Sequence, residues 1–267
     1  MYPAELFGLI TPFPRDDRVF VAMSFDPLLE RRWNEVIEPG VGDAGLHAYR
    51  VNASKISDSI ITEIERGIAT ARLVLADISV VGSTRNANVM YEVGLAHAVR
   101  QPQEVILFRS DTEKLLFDLS PVRVNRYDPD RDATLARQAV KEAVADAIKE
   151  VDLRKSLAVD RAASSVDESA ITVLVAAAGK DGVQPFPIDT IDKILANMRY
   201  LQALSRLLDA GLILAAYKDT PPPAEAEPLD VIKGQLRYKL TALGRATIQE
   251  VMRRLNFPGG ERLARSE

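Results

Sequence analysis

The 267-residue sequence contains no cysteine and only two histidines. The absence of cysteine excludes disulfide scaffolds, thiolate zinc sites, iron–sulfur clusters and cysteine nucleophiles. Two histidines are too few for a histidine-rich metal site, so the sequence predicts neither a metal nor a cofactor. Any chemistry must therefore use carboxylates, hydroxyls, amides or arginines.

Long apolar runs and a strong net charge are also missing. No apolar run approaches the ~18 residues that a membrane span needs, and the N-terminus lacks a basic segment followed by an apolar one. We therefore expect a cytoplasmic protein without membrane contact. The net charge of −4 is unevenly divided: residues 1–150 carry 18 basic and 23 acidic side chains, and residues 151–267 carry 16 and 15. The two halves are expected to meet different partners.

Apolar runs alternate with helical patterns through the first 150 residues. This alternation predicts an α/β fold with a flavodoxin-like, five-stranded parallel sheet and right-handed crossovers. Ligands of such sheets bind beyond the carboxyl ends of the strands, so functional residues are expected after Met23, Val51, Asp77 and Phe108. The predicted strands are 18–23, 46–51, 72–77, 104–109 and 122–127, and the predicted helices are 28–37, 57–68, 87–100, 112–116 (a short turn) and 134–151.

The pattern changes after a polar segment at 153–166. Three helices, a two-stranded wing and a further helix predict a smaller winged helix-turn-helix domain. We therefore divide the chain into a first domain at 1–152, a linker at 153–166 and a second domain at 167–267. The elements predicted in the second domain are helices at 167–178, 190–197 and 199–210, strands at 212–217 and 232–241, and a helix at 242–255.

The segment from Asp77 to Ala98 is the most informative one. Its helix is apolar almost all round, which is typical of a helix buried on most faces, yet it contains one carboxylate, Glu92. Burying an unpaired carboxylate costs several kcal/mol, so Glu92 needs a partner or a purpose. Gly94 suggests that something packs closely at that turn, because glycine costs about 1 kcal/mol of helix stability against alanine. The alternatives are a Glu92 paired with an arginine, a Glu92 at the solvent edge, and a reactive Glu92.

The segments VFVAMSF, LVLADIS, NANVMYEVGLAHA and FDLSPVRVNRYD, in this order, resemble the nucleoside 2-deoxyribosyltransferase-like superfamily, which is related in fold to TIR domains. The resemblance covers roughly residues 18–150. It implies that Glu92 is the nucleophile at the anomeric carbon of a nucleoside and that Asp77 helps to bind or orient the substrate. The deoxyribosyltransferases have an aspartate six residues before the nucleophile, where this chain has Asn86. Hydrolysis and transfer therefore both stay open.

A carboxylate suits this chemistry independently of the resemblance. Cleavage of an N-glycosidic bond passes through an oxocarbenium-like transition state, which a carboxylate stabilises by its charge or by forming a glycosyl ester. Asn86 and Asn88 offer amides to sugar hydroxyls, although Asn86 is equally suited to capping the helix. Ser83 and Arg85 precede a helix N-terminus, where anions bind, so either a substrate phosphate is bound here or Arg85 is an ordinary solvated loop arginine.

Three further residues are candidate substrate ligands at the same edge. Ser24 and Phe25 follow the first strand, and Phe25 either stacks on a base or belongs to the core. Arg50 ends the second strand, where it reaches a phosphate or pairs with Glu92. His97 and Trp33 are interpreted as structural.

Basic residues of the second domain are candidate contacts to nucleic acid or to a protein partner. These are Arg199, Arg206, Lys233, Arg237, Lys239 and Arg245. The two-domain arrangement resembles toxic effectors of bacterial anti-phage systems, including retron effectors that join a deoxyribosyltransferase-like domain to a winged helix. This resemblance implies cleavage of NAD or a nucleotide by the first domain. It implies a nucleoprotein partner, reverse transcriptase with its DNA or RNA product, for the second.

Two other functional classes stay open. One is a non-catalytic, nucleotide-sensing transcriptional regulator whose winged helix binds an operator. The other is an assembly module in which Glu92 is salt-bridged to Arg50 or another arginine. We also expect a homo-oligomer, since the family that the sequence resembles often completes its site across a subunit interface.

Overall fold

A five-stranded parallel sheet is the centre of the first half of the chain. The structure is a computed structural model, and it describes residues 16–51, 58–113, 123–178, 197–217 and 236–256. The strands are β1 (Asp16–Ala22), β2 (His47–Tyr49), β3 (Ala71–Asp77), β4 (Val105–Arg109) and β5 (Val124–Arg126). They follow the spatial order β2-β1-β3-β4-β5, which is the order of flavodoxin-like sheets. The predicted α/β fold is confirmed.

The helices of this half begin where the sequence supplies caps. Helix α1 (Pro27–Arg32) has Pro27 in its first turn and is capped by the carboxylate of Asp26, which accepts from the Leu28 amide at 2.9 Å. It continues through a π-helical turn (Trp33–Ile37) into α2 (Glu38–Asp43). The next two helices are α3 (Asp58–Thr70) and α4 (Ala87–Val99).

The sheet is buried on both faces, which is why its strands are almost continuously apolar. On one face the side chains of Val19 and Val21 pack with the α1–α2 segment and with α5 (Ala133–Ser165). On the other face Phe20 and Ala22 pack with α3 and α4. At the far end of α4, the buried Arg100 donates to the carbonyls of Ile68, Ala71 and Arg72 and so joins the ends of α3 and α4 to the start of β3.

The predicted linker is largely helical. The structure continues α5 to Ser165, whereas the sequence reading ended this helix at Val151. Residues 153–165 are mostly exposed, and their polar, Ala- and Ser-containing composition led to the prediction of a link there rather than of a longer helix. By its internal contacts the chain divides into two compact units, Met1–Leu153 and Arg154–Glu267.

The described part of the second unit contains helices and an antiparallel pair of strands at the positions predicted for a winged helix. They are α6 (Glu168–Ala177), α7 (Met198–Asp209), an antiparallel pair β6 (Ile213–Tyr217) and β7 (Leu236–Leu240), and α8 (Ala242–Arg254). Gly211 ends the turn after α7 with a φ of 66°, as predicted. The predicted helix at 190–197 lies outside the described residues except for Asn197. Residues 218–235, which include Lys233, and residues 114–116 of the turn predicted at 112–116 also lie outside them.

In the second unit, the backbone at Gly244 lies very close to the backbone at Leu212. A Cβ atom at Gly244 would lie 1.9 Å from the carbonyl oxygen of Leu212, so no larger residue fits there without a shift. The first turn of α8 is capped by the Thr241 hydroxyl, which accepts from the Gly244 amide at 3.0 Å. This contact brings α8 against the start of β6, where Leu212, Ile213 and Ile248 share one core.

Candidate functional site

Several polar side chains lie at or just beyond the carboxyl ends of the sheet strands. Ser24 lies just beyond β1, Arg50 just beyond β2, and Asp77 at the end of β3. Ser110 and Tyr127 follow β4 and β5. The parallel arrangement therefore brings residues that are far apart in sequence to one edge.

Asp77 is the centre of a buried hydrogen-bond network. Its Oδ1 accepts from the amide of Ser79 at 3.0 Å, and its Oδ2 accepts from the hydroxyl of Tyr127 at 2.7 Å. Arg32 Nη1 lies 3.4 Å from the same Oδ2, and Arg32 also pairs with the exposed Asp130. The Asp77 side chain has no exposed surface. In this arrangement the carboxylate positions neighbouring groups, and it does not itself face open solvent.

The network has electrostatic consequences for its members. Burial raises the pKa of Tyr127 well above its usual value, and the adjacent Asp77 carboxylate raises it further. Burial alone would lower the pKa of Arg32, but Asp130 and Asp77 outweigh that effect and raise it. Both groups therefore keep their protons throughout the neutral range, and the network joins α1, β3 and the end of β5.

Glu92 lies on α4 and is partly buried. Among the described residues no hydrogen bond or ion pair engages its carboxylate, and burial raises its pKa to about 7. Arg50, the partner considered above, pairs with Glu30. Glu92 is therefore a carboxyl group that is poised between its two protonation states near neutral pH.

Gly94, in contrast, has no close neighbour among the described residues. A Cβ atom added there would meet nothing within 4 Å, and the residue is exposed. The prediction of close packing at this turn was wrong for the protein as a single chain. The glycine leaves an open surface half a turn from Glu92.

Asn86 connects the loop after β1 to the start of α4. Its Oδ1 accepts from the amides of Asn88 and Val89 at 2.9 and 3.3 Å, and its Nδ2 donates to Ser24 Oγ at 3.2 Å. The capping interpretation of Asn86 is therefore confirmed, and Ser24 is buried beside it. Asn88 is exposed and keeps its side-chain amide at the surface.

A short hairpin separates β3 from α4 and was not predicted. Val80–Val81 pairs with Thr84–Arg85 around a turn that contains Gly82, which has a φ of 66°, and the exposed Ser83. Arg85 folds back to bond Asp111 at 2.9 Å and the Ile78 carbonyl. Burial would raise the pKa of Asp111, but Arg85 and the Val80 amide outweigh it and lower that pKa. Arg85 is thus held by a carboxylate of its own chain.

Arg50 and Phe25 lie against each other. The Arg50 guanidinium carbon is 5.0 Å from the Phe25 ring centre and 4.7 Å from that of Trp33. Phe25 remains 47% exposed, whereas Trp33 is buried, so the core role predicted for Trp33 is correct and Phe25 faces solvent. His97 is partly buried, and burial lowers its pKa.

The sequence-based prediction of the site did not include four residues that the structure places there: Arg32, Tyr127, Asp130 and Asp111. Arg32 lies in a run of charged residues on α1, and Tyr127 ends an edge strand, so neither pattern distinguishes them from surface residues. The detectable signal was the acidic composition of 128–132 directly after a strand, at the edge where parallel sheets of this kind generally bind ligands. Only the fold brings these residues to Asp77.

The basic residues of the second unit differ in their surroundings. Arg199 and Arg245 are exposed, and Arg245 donates to the Leu240 carbonyl at 3.1 Å. Arg206 is exposed but pairs with Asp167 at 2.7 Å. Arg237 is only 3% exposed, and Lys239 is partly buried on the same strand. Of the described members of the set, Arg199 and Arg245 are therefore the most accessible to a partner.

The described ranges offer no metal site and no membrane-spanning helix. No group of three or more potential metal-ligating side chains occurs there, and no helix there is long and apolar enough to cross a membrane. Two surface hollows are lined by described residues; one, of about 430 Å³, lies at the amino ends of β4 and β5. Glu92 and Asp77 line neither hollow.

Comparisons with known proteins do not identify a family. No family profile and no curated protein matches the chain. Among solved structures, a metal-soaked Flv1 flavodiiron core from Synechocystis is similar over 50% of this chain and 36% of its own, with 13% identity and a TM-score of 0.38. This chain thus spans about a third of that protein's length, and a likeness of this degree carries no argument about function.

Proposed function

We propose that the protein is an N-glycoside hydrolase or transferase that cleaves the bond between base and sugar in a nucleotide, a nucleoside or NAD. Glu92 is the proposed nucleophile or oxocarbenium stabiliser. The observation that carries the proposal is that the Glu92 carboxylate, within the described part of the chain, is partly buried without a hydrogen bond or ion pair. A structural salt bridge, the main alternative, is therefore absent from that part.

The chemistry follows from the charge state of Glu92. In the ionised form the carboxylate stabilises positive charge that develops at the anomeric carbon, or it attacks that carbon to form an ester. Partial burial strengthens such an electrostatic effect because less water competes for the charge. The same burial raises the pKa of Glu92 to about 7, so the ionised form predominates only above neutral pH.

Asp77 has a different part in this proposal from the one that the family resemblance implies. Because its carboxylate is buried under Tyr127 and Arg32, it acts as a positioning residue for the edge of the sheet. Ser24, Phe25, Arg50 and Asn88 are the proposed substrate contacts. Asn86 supports them through the α4 cap, and Ser83 and Arg85 lie on the neighbouring hairpin.

The biological setting of the proposal comes from the resemblance of the two-domain arrangement to retron effectors. Under the architecture described for retron effectors, the enzyme is a toxic effector of anti-phage defence, and its winged helix holds it in an inhibited nucleoprotein complex. Arg199 and Arg245 are the exposed basic side chains proposed to contact that partner.

Product analysis tests the catalytic proposal. The full-length protein is incubated with NAD and with a panel of nucleotides and nucleosides, and free base is followed by chromatography. We expect base release by the wild type and its loss in Glu92→Gln. Glu65→Gln, which removes an exposed glutamate of α3, is the matched control and is expected to keep the wild-type rate. Absence of base release from the whole panel, together with operator binding that responds to nucleotide, would favour the transcriptional regulator instead.

A further inference from the structure

Arg50 is held in an unusual environment for a basic residue at a ligand-binding edge. Its guanidinium is flanked by the rings of Trp33 and Phe25, and its side chain is 15% exposed. Flanking by two rings fixes the plane of the guanidinium and so limits the directions in which its N–H groups point.

Not every hydrogen-bond donor of this guanidinium has an acceptor among the described residues. Nη2 lies 2.5 and 2.7 Å from the two carboxylate oxygens of Glu30. Nη1 is buried and has no hydrogen-bond partner in the described part of the chain. An unsatisfied buried donor is costly, and in native proteins it usually has a specific explanation.

The Glu30 carboxylate binds the Arg50 guanidinium as an anionic ligand would. A phosphate also presents two oxygens to one guanidinium, and it has a third oxygen for the remaining donor. The Glu30 side chain is 48% exposed, so it returns to water at little cost when another anion takes its place. The exposed ring of Phe25 borders the same position.

We propose that Arg50 binds the phosphate of a nucleotide substrate, that Glu30 is the anion which this phosphate displaces, and that the exchange selects phosphate-bearing compounds over nucleosides. The identity of the substrate class rests on the proposed N-glycosidase function, whereas the binding step does not require turnover. A nucleoside has no group that takes the place of Glu30, so it leaves the Arg50–Glu30 pair intact.

Equilibrium binding tests this inference. Titrations use full-length protein carrying Glu92→Gln, so that base release does not interfere. The probes are the four ribonucleoside 5′-monophosphates, NAD, and the parent nucleosides with nicotinamide riboside. Glu30→Gln is compared with Glu35→Gln, which removes the same charge from an exposed pair with Arg31 five residues further along.

The expected result is that Glu30→Gln tightens binding of the phosphate-bearing probes by about tenfold, leaves the nucleosides unchanged, and differs from Glu35→Gln. Arg50→Gln is expected to remove the preference for phosphate. A tighter binding constant cannot result from misfolding, so Glu30→Gln keeps the test valid if Arg50→Gln fails to fold. Comparison of the monophosphates with NAD tells whether a terminal or a bridging phosphate is bound.

Several results would overturn the inference. These are equal effects of Glu30→Gln and Glu35→Gln, a phosphate preference that survives Arg50→Gln, or failure of every phosphate-bearing probe to bind the Glu30→Gln protein. Phosphate-selective binding through Arg50 without base release in the wild type would keep this inference and remove the N-glycosidase proposal. Base release that depends on Glu92 but is equally fast for nucleotides and nucleosides would do the reverse.

Discussion

Both carboxylate oxygens of Glu30 lie within 2.7 Å of Arg50 Nη2. Arg50 therefore does not neutralise Glu92, although the sequence alone allowed that pairing. The two glutamates have different environments. Glu30 is exposed and paired with Arg50, whereas Glu92 is partly buried and, among the described residues, unpaired.

The stability of the protein should depend on Glu92 in a pH-dependent way. The pKa of Glu92 is raised to about 7 from 4.5 in the folded chain, so the folded state holds a proton that the unfolded state releases. Ionisation of Glu92 thus lowers the free energy of unfolding as pH rises from about 4.5 to 7. Glu92→Gln should raise that free energy by about 2 kcal/mol at pH 8, after discounting for solvent screening, and have little effect at pH 4.5.

Urea unfolding at the two pH values measures this effect, with Glu65→Gln as the exposed control. A Glu92→Gln difference that is the same at pH 4.5 and at pH 8 would show that the carboxyl is not destabilised by burial.

The pH dependence of catalysis follows from the same group. If the ionised carboxylate acts at the anomeric carbon, base release should fall as pH is lowered through about 7. The rate of base release measured from pH 5 to pH 9 should therefore rise to a plateau with a midpoint near 7. A rate that instead declines as pH rises through 7 would assign Glu92 to proton donation.

Asp77 should matter first for folding. Asp77→Asn removes the charge that faces the buried Arg32 and replaces one acceptor oxygen by a donor, so it leaves a buried cation with less compensation. We expect a loss of about 3 kcal/mol in the free energy of unfolding. Asp130→Asn, at the exposed end of the same Arg32, should cost under about 1 kcal/mol. Urea unfolding of both variants measures the contrast, and equal losses would contradict it.

Two glycines at different positions in their helices should respond oppositely to alanine. Gly94→Ala should stabilise the first unit by up to about 1 kcal/mol, since the added Cβ meets open space and alanine favours helix. Gly244→Ala should destabilise the second unit by about 2 kcal/mol or more, because the Cβ would collide with the Leu212 carbonyl. Thermal unfolding monitored by calorimetry distinguishes the two, and a destabilising Gly94→Ala would contradict the open surface at that turn.

The parallel sheet was predictable because both faces are buried and its strands are continuous apolar runs separated by helices. The predicted ends of most elements lie within a few residues of the observed ones. For α4, the observed helix begins after Asn86, as predicted, and ends just before Arg100. The end of α5 was missed because residues 153–165 are mostly exposed, with Ala163 the buried exception, and their helical state is not visible in hydrophobic periodicity.

The candidate site was only partly predictable. Local sequence marked Glu92 as an isolated carboxylate in an apolar helix, and it marked Asp77 as the end of a buried strand. It could not show that Tyr127 and Arg32 cover Asp77, because Tyr127 lies 50 positions and Arg32 lies 45 positions from Asp77 in the sequence. It also could not choose between Glu30 and Glu92 as the partner of Arg50, since both are compatible with a residue that follows β2.

The most direct test of the central claim is the rate of base release by the wild type and by Glu92→Gln, measured by chromatography on a substrate that the wild type cleaves. Circular dichroism of both proteins at the assay pH ensures that they are equally folded. The account predicts that Glu92→Gln lowers the rate by about 100-fold or more. Equal rates for the two proteins would contradict it.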